Sequence, residues 1–273
     1  MQTQTLAIRP AAVAGLFYPA GATELAATVA ALLAAAPVRT AAAAPKAIIA
    51  PHAGYIYSGA TAARAYALLQ TQRGQIRRVV LLGPTHRVAV RGLAVPGVAA
   101  FRTPLGDIPL DQPAITALRA LPQIVVSAAA HAAEHSLEVH LPFLQTVLGD
   151  FALVPLAVGD ASPEEVAAAL RCVWGGRETL IVISSDLSHF HGYAEAQSLD
   201  RATTDAILQL RTDLDHEQAC GATPVCGLTL LARERGLRSE LIDLCNSGDT
   251  SGDKRRVVGY ASFAFHEPAH HDH

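Results

Sequence analysis

The stretch "KAIIAPHAGYIYSG" (Lys46–Gly59) drives an unbroken apolar run straight into Pro51 and a turn-rich series of histidine, glycine, tyrosine and serine. Lys46–Ala50 has the length and apolar continuity of a strand covered on both faces. Proline has no backbone N–H, so the ladder stops at Pro51 and His52 is delivered at the strand's carboxyl end. Gly54 lets the chain turn tightly, and Tyr55 is placed to line the space above.

The same arrangement recurs along the chain. In "RRVVLLGPTHR" the strand Arg78–Leu82 delivers His86, and in "LIVISSDLSHFH" Leu180–Ser184 delivers Ser185, Asp186, His189 and His191. In "SELIDLCNSGDTSGD" Ser239–Leu244 leads to Ser247, Asp249 and Asp253. Further strands are expected at Leu93–Val95, Ile124–Ser127, Leu153–Ala157 and Val257–Phe265. Between them lie helix starts. Ser162, Pro163 and Glu165 make a capping box, Asp111 caps the segment that follows it, and Thr223-Pro224 opens a helix ending at Gly236. Ser58-Gly59 leads into another. This alternation predicts one α/β domain with a largely parallel or mixed sheet. Ligands in such sheets bind beyond the carboxyl ends of the strands, so the four loops are expected to converge on one crevice.

The chain has 273 residues, half of them apolar, 16% charged, with a formal net charge of -3. That balance fits neither a disordered chain nor a nucleic-acid-binding surface. "ELAATVAALLAAAP" (Glu24–Pro37) is too short and alanine-rich to span a membrane, and "MQTQTLAIRP" lacks the order of a secretory signal. The four cysteines form no CxxC pair, so reduced thiols and a cytoplasmic location are expected. Histidine is the unusual component, with twelve. Those in the closing "HEPAHHDH" read as a flexible tail over 267–273, leaving 1–266 as the domain.

Two imidazoles plus an oxygen or sulfur donor suit Fe(II), Zn(II) or Cu(II), which makes His52 and His86 candidate ligands. Asp186 and His189 are three apart, so a helical turn would let the carboxylate orient an acid/base histidine. A competing reading makes Asp186 a helix cap. "NSGDTSGD" reads equally as a turn or an anion nest. In "HAAEHSLEVHLPFLQTVL" (His131–Leu148) a single helix would put Glu134, His135 and Glu138 on one solvated face.

Taken together, "GLFYPAG", "IIAPHAGYIYSG", "LLGPTHR", "EHSLEVHLPFLQ", "ISSDLSHF", "ACGATPVCGL" and "NSGD…VVGYASFAF" resemble, in this order and over roughly Arg9–Phe265, the Memo family. Its prokaryotic members are called AmmeMemoRadiSam system protein B. The resemblance implies a fold like the class III extradiol dioxygenases, a mixed, largely buried sheet with helices on both faces. It also implies a divalent metal, Fe(II) or Cu, on His52 and His86, and catalytic roles for Asp186 and His189. Tyr55, Ser185, Glu134, His135, Glu138 and Ser247 are then expected to support metal or substrate. Thr250 stands where the animal Memo protein has a cysteine, and Leu244 replaces a tyrosine, so Asp249 or His189 is left to complete the ligand set.

Three functions follow as expectations. One is a metal-dependent oxidoreductase acting on a small molecule or protein. Another is a metal- or peptide-binding scaffold working with radical-SAM and AMMECR1-type partners. The third is a metal-free hydrolase using Asp186 and His189. No nucleic-acid or membrane partner is expected.

Overall fold

In the computed structural model, which describes residues 7–37 and 44–268, the quoted stretch folds as a short buried strand followed at once by a helix. The strands are β1 (Ile8–Arg9), β2 (Ala47–Ala50), β3 (Arg78–Pro84), β4 (Leu93–Val95), β5 (Ala100–Thr103), β6 (Gly106–Pro109), β7 (Ile124–Val126), β8 (Ala152–Val158), β9 (Thr179–Ser184), β10 (His189–His191), β11 (Arg238–Asn246) and β12 (Val257–His266). The helices are α1 (Ala22–Ala35), α2 (Tyr55–Ala67), α3 (Gln112–Leu118), α4 (Ala128–Ala132), α5 (Leu141–Leu148), α6 (Pro163–Val173), α7 (Tyr193–Leu208), α8 (Ala222–Arg235) and α9 (Ser247–Ser251).

The large sheet runs β10-β12-β2-β9-β3-β8-β4-β7, with β11 also paired to β12. Its centre, β2-β9-β3-β8, is parallel; β12 and β4 run antiparallel to their central neighbours, which makes the sheet mixed. Central strands such as Ala47–Ala50 and Thr179–Ser184 are buried at every position, the burial pattern of strands covered on both faces. On one side α1, α2 and α5 pack together, with α2 against β2, β11 and β12. On the other, α8 packs on β3 and β9 and carries α6, while α7 covers β11 and β12. All eight expected strands form. Four short ones escaped the sequence reading, namely β1, the β5–β6 hairpin and β10, which are too brief to carry a periodicity.

The caps explain where the helices begin. Ser162 and Glu165 form the expected capping box, and Asp111 accepts from the N–H of Ala114. Helix α8 starts slightly earlier than expected, at Ala222, and closes on left-handed Gly236. Helix α2 begins at Tyr55, not after Ser58-Gly59, because Gly54 takes the extended cap position.

Two local expectations are overturned. Residues 131–148 do not make one helix: α4 ends at Ala132, an irregular turn follows, and α5 begins only at Leu141. Glu134 and Glu138 point inward and are buried, so they form no solvated face. Likewise Asp186 and His189 share no helical turn. Residues 185–188 are irregular and His189 opens β10, because Leu187 and Ser188 exchange backbone hydrogen bonds with Gly259.

Burial of the 131–138 turn is possible because its charge is matched from the N-terminal segment. Glu138 takes Arg9 Nη1 and the N–H of Ala12 on one oxygen, and the N–H of Val13 and Tyr18 Oη on the other. Arg9 in turn donates to the carbonyls of His131 and Glu134. Breaking a buried pair strands the other charge at a cost of about 3–5 kcal/mol. Arg9→Met should therefore lower the urea-unfolding stability by about that much; a loss below about 1 kcal/mol would mean the pair is solvated.

Candidate metal centre

Because β2, β9 and β3 are adjacent and parallel, their carboxyl ends bring His52, the Ser185-Asp186 pair and His86 to one edge. The 131–138 turn adds His135, and the segment before α8 adds Cys220. The rings of His52, His86 and His135 meet pairwise, with centroids 4.7–5.4 Å apart. Donor atoms of His52, His86 and Cys220 all lie within 4.8 Å of one another, as do those of His86, Glu134 and His135.

Hydrogen bonds decide which nitrogens are free. Ser184 Oγ donates to the carbonyl of Ser136 at 2.6 Å, so it can only accept from Nδ1 of His52, also at 2.6 Å. His52 therefore carries its proton on Nδ1 and presents the lone pair of Nε2, 3.4 Å from Cys220 Sγ. Glu134 receives Nδ1 of His86 at 2.9 Å and the backbone N–H groups of His86, His135 and Ser136. An ionised carboxylate only accepts, so His86 likewise presents Nε2. Two imidazoles fixed by a hydroxyl and a carboxylate on their far nitrogens are the support pattern of metal-binding histidines.

The protonation states agree. Burial, followed by the neighbouring imidazoles, holds His52 well below the ordinary histidine value, and burial also lowers His135. Burial works against ionised Glu134, but the hydrogen bonds from His86 and the backbone outweigh it and bring the carboxyl down to about 2. Burial, with Asp186 nearby, pushes the Cys220 thiol far up, so it keeps its proton at neutral pH. Asp186 is raised by burial; its Oδ1 accepts the N–H of His52 at 2.7 Å and Oδ2 lies 4.0 Å from His52 Nε2.

Two glycines make this crowding possible. A Cβ on Gly83 would meet Ser136 Oγ at 2.9 Å and Ser184 Cβ at 3.1 Å. One on Gly221 would meet the Ser184 carbonyl at 2.6 Å, and its absence lets Cys220 reach the cluster.

The remaining candidates fall in different places. His189 is half-buried at the lip, close enough to influence His52 and Asp186 electrostatically. Ser185 Oγ donates to the carbonyl of Asp186 and receives the N–H of Gly221, a loop-bracing role. Tyr55 donates to the carbonyl of Val139, and Glu138 belongs to the Arg9 pair. Asp249 does not join the imidazoles: it caps α9 through the N–H of Asn246 and accepts from Tyr193 Oη at 2.5 Å. Exposed Thr250 donates to the carbonyl of Ser247, whose Oγ accepts the N–H of Val258. Sequence reasoning missed Cys220. It follows no strand and has no ligand spacing, and only its place in "ACGATPVCGL" could have singled it out. Beside the cluster a groove of about 680 Å³ lies between residues 15–20, α1, α2 and Thr250. Phe17 is one wall of it and packs on His135 at 4.7 Å.

Residues 9–264 match the family model described as Memo-like protein. A MEMO1 family protein of Ignicoccus hospitalis is 36% identical, covering 96% of this chain and 99% of its own. One of Aquifex aeolicus is 35% identical over 94% and 99%. An uncharacterized protein of Escherichia coli K12 has a similar fold at TM-score 0.50 and 14% identity, covering 79% of this chain and 98% of that one. Among the described residues no helix is long and apolar enough to cross a membrane.

Ser184→Ala frees the His52 tautomer without touching a donor, and Glu134→Gln does the same for His86. Each should weaken Co(II) or Zn(II) binding about 10–100-fold, measured by competitive titration with the fold intact; unchanged affinity would show the far nitrogens to be unimportant. Stability should also depend on histidine. Burial pushes His131 and His140 down to about 4 and about 3, so between those values and pH ~6.5 the unfolded chain binds the extra protons. Stability is complete above pH ~6.5 and falls on acidification by up to about 1.4 kcal/mol per pH unit for each histidine. His140→Phe should flatten that slope in denaturant titrations; an unchanged slope would place its proton uptake elsewhere.

Proposed function

The chain belongs to the Memo-like family, and from that premise we propose that its crevice binds one divalent transition-metal ion through His52, His86 and Cys220 for redox chemistry on a small molecule. The donor set carries this reading: two imidazole lone pairs and a thiol within 4.8 Å of one another, with the far nitrogens of both imidazoles fixed by Ser184 and Glu134. Imidazole with sulfur favours Fe, Cu or Zn over Mg or Ca. Three protein donors leave coordination positions open, and an ion of the Fe or Cu class supplies one-electron chemistry there.

The chain's own groups have separable tasks. Cys220 gives up its thiol proton on ligating. Ser184 and Glu134 keep the two imidazoles in their ligating tautomers. His189, at the lip, and buried Asp186 are the groups positioned to take or return a substrate proton. Phe17 and His135 wall the centre on the groove side and limit water.

A second reading, a scaffold for radical-SAM and AMMECR1-type partners, is favoured by the same groove. Leu16 and Ile56 line it and are 80% and 78% exposed. Exposed apolar patches of this kind mark interaction sites.

Anaerobically purified protein with His270, His271 and His273 replaced by alanine should retain about one equivalent of Fe, Cu or Zn. His52→Ala and Cys220→Ala should each abolish that stoichiometric binding. If no metal binds even after anaerobic reconstitution, the enzyme reading fails. If the purified partners still bind the metal-free variants, and Ile56→Asp removes that binding, the scaffold reading replaces it.

A further inference from the structure

Behind the cluster lies a buried pair that the metal reading does not use. Tyr66 on α2 and His140, on the turn before α5, are both essentially inaccessible, and Tyr66 Oη lies 2.8 Å from His140 Nδ1. His140 Nε2 has no partner among the described residues. If Nδ1 carried the proton, both the Tyr66 hydroxyl proton and the Nε2 lone pair would be stranded. If the phenol donates to Nδ1, only the Nε2–H is stranded. Since each unpaired buried polar group is costly, Tyr66 donates and His140 is a neutral acceptor.

The pair lies on two segments that also carry candidate ligands and their supports, α2 following His52 and the turn that holds His135. His52 is the titratable neighbour that His140 feels electrostatically. From Tyr66 the rings continue through Phe143, stacked at 5.0 Å and 6°, to Tyr55 at 4.9 Å from Phe143 and Tyr18 at 5.7 Å from Tyr55. These phenols differ in what could take their proton. Tyr55 donates to a peptide carbonyl, which is no base. Tyr18 donates to Glu138, which is already paired with Arg9 and two backbone N–H groups. Tyr66 alone among the described tyrosines is hydrogen-bonded to an imidazole.

We propose that Tyr66 and His140 form a buried proton-coupled redox site. Tyr66 gives one electron to a high-potential one-electron oxidant, such as an oxidised metal ion at the cluster, and its phenolic proton passes to His140 Nδ1. The oxidant is reduced by one unit, and the pair becomes a neutral phenoxyl beside an imidazolium. A returning electron brings the proton back across the same 2.8 Å bond. Burial makes the imidazolium costly, yet an oxidised phenol is a far stronger acid, so the transfer goes forward. Burial of both side chains keeps the proton within the pair.

This rests on the metal reading only for the natural source of the oxidant, and metal-free protein tests it separately. The full chain, stripped of metal, is photo-oxidised with ruthenium tris(bipyridine) and persulfate, frozen, and read by electron paramagnetic resonance. A tyrosyl signal should form, fall at least fivefold in Tyr66→Phe, and decay at least tenfold faster in His140→Leu. Tyr18→Phe and Tyr193→Phe should leave it unchanged. With [15N]histidine the wild-type radical should show hyperfine coupling to an imidazole nitrogen, a readout that holds even if a variant folds poorly. A full signal in Tyr66→Phe, an unchanged lifetime in His140→Leu, or no histidine coupling would overturn the proposal.

Discussion

The carboxylate of Glu138 is the fixed point of the upper half of the molecule. It is buried, and it is tolerable there only because Arg9, two backbone N–H groups and Tyr18 supply four donors to its two oxygens. That arrangement clamps the N-terminal segment onto an irregular turn, and Arg9 binds the turn again through the carbonyls of His131 and Glu134. The same turn carries Glu134, which orients His86, and Ser136, which orients His52 through Ser184. A buried ion pair is weak evidence for net stability. Here its consequence is positional, since one displaced turn would release both imidazoles.

Two carboxylates four residues apart therefore do different things. Glu138 is consumed by structure. Glu134 spends one oxygen on the backbone N–H of His86 and the other on the ring of His86 and the turn, so it fixes the orientation of that imidazole. Asp186 is different again: its charge is opposed by burial, and the acceptance of a single backbone N–H does not fully offset that.

How much of this was legible in the chain is best seen in particular residues. The strands were readable because unbroken apolar runs ending at Pro51 or in "GPTH" admit few alternatives, and the placing of His52, His86 and Asp186 followed from where parallel strands end. His131–Leu148 was misread because its apolar spacing suits a helix, while the burial of Glu138 against a segment more than a hundred residues away, and of Glu134 against His86, breaks it. β10 was invisible because its three residues form a strand only where β12 offers a partner.

By itself, then, the sequence determined the sheet, the ends at which imidazoles emerge, and the family. The strands and their ends depend on local hydrophobic pattern and on chain-breaking residues, which act over a few positions, whereas the family rests on the resemblance of the motifs in their order. The tertiary structure alone decided that Cys220 joins His52 and His86, that Asp249 is a helix cap, and which nitrogen of each imidazole is free. Each of those depends on a contact between distant segments. Gly83 and Gly221 permit the close approaches behind them, and neither the spacing nor the identity of a lone residue encodes such a contact.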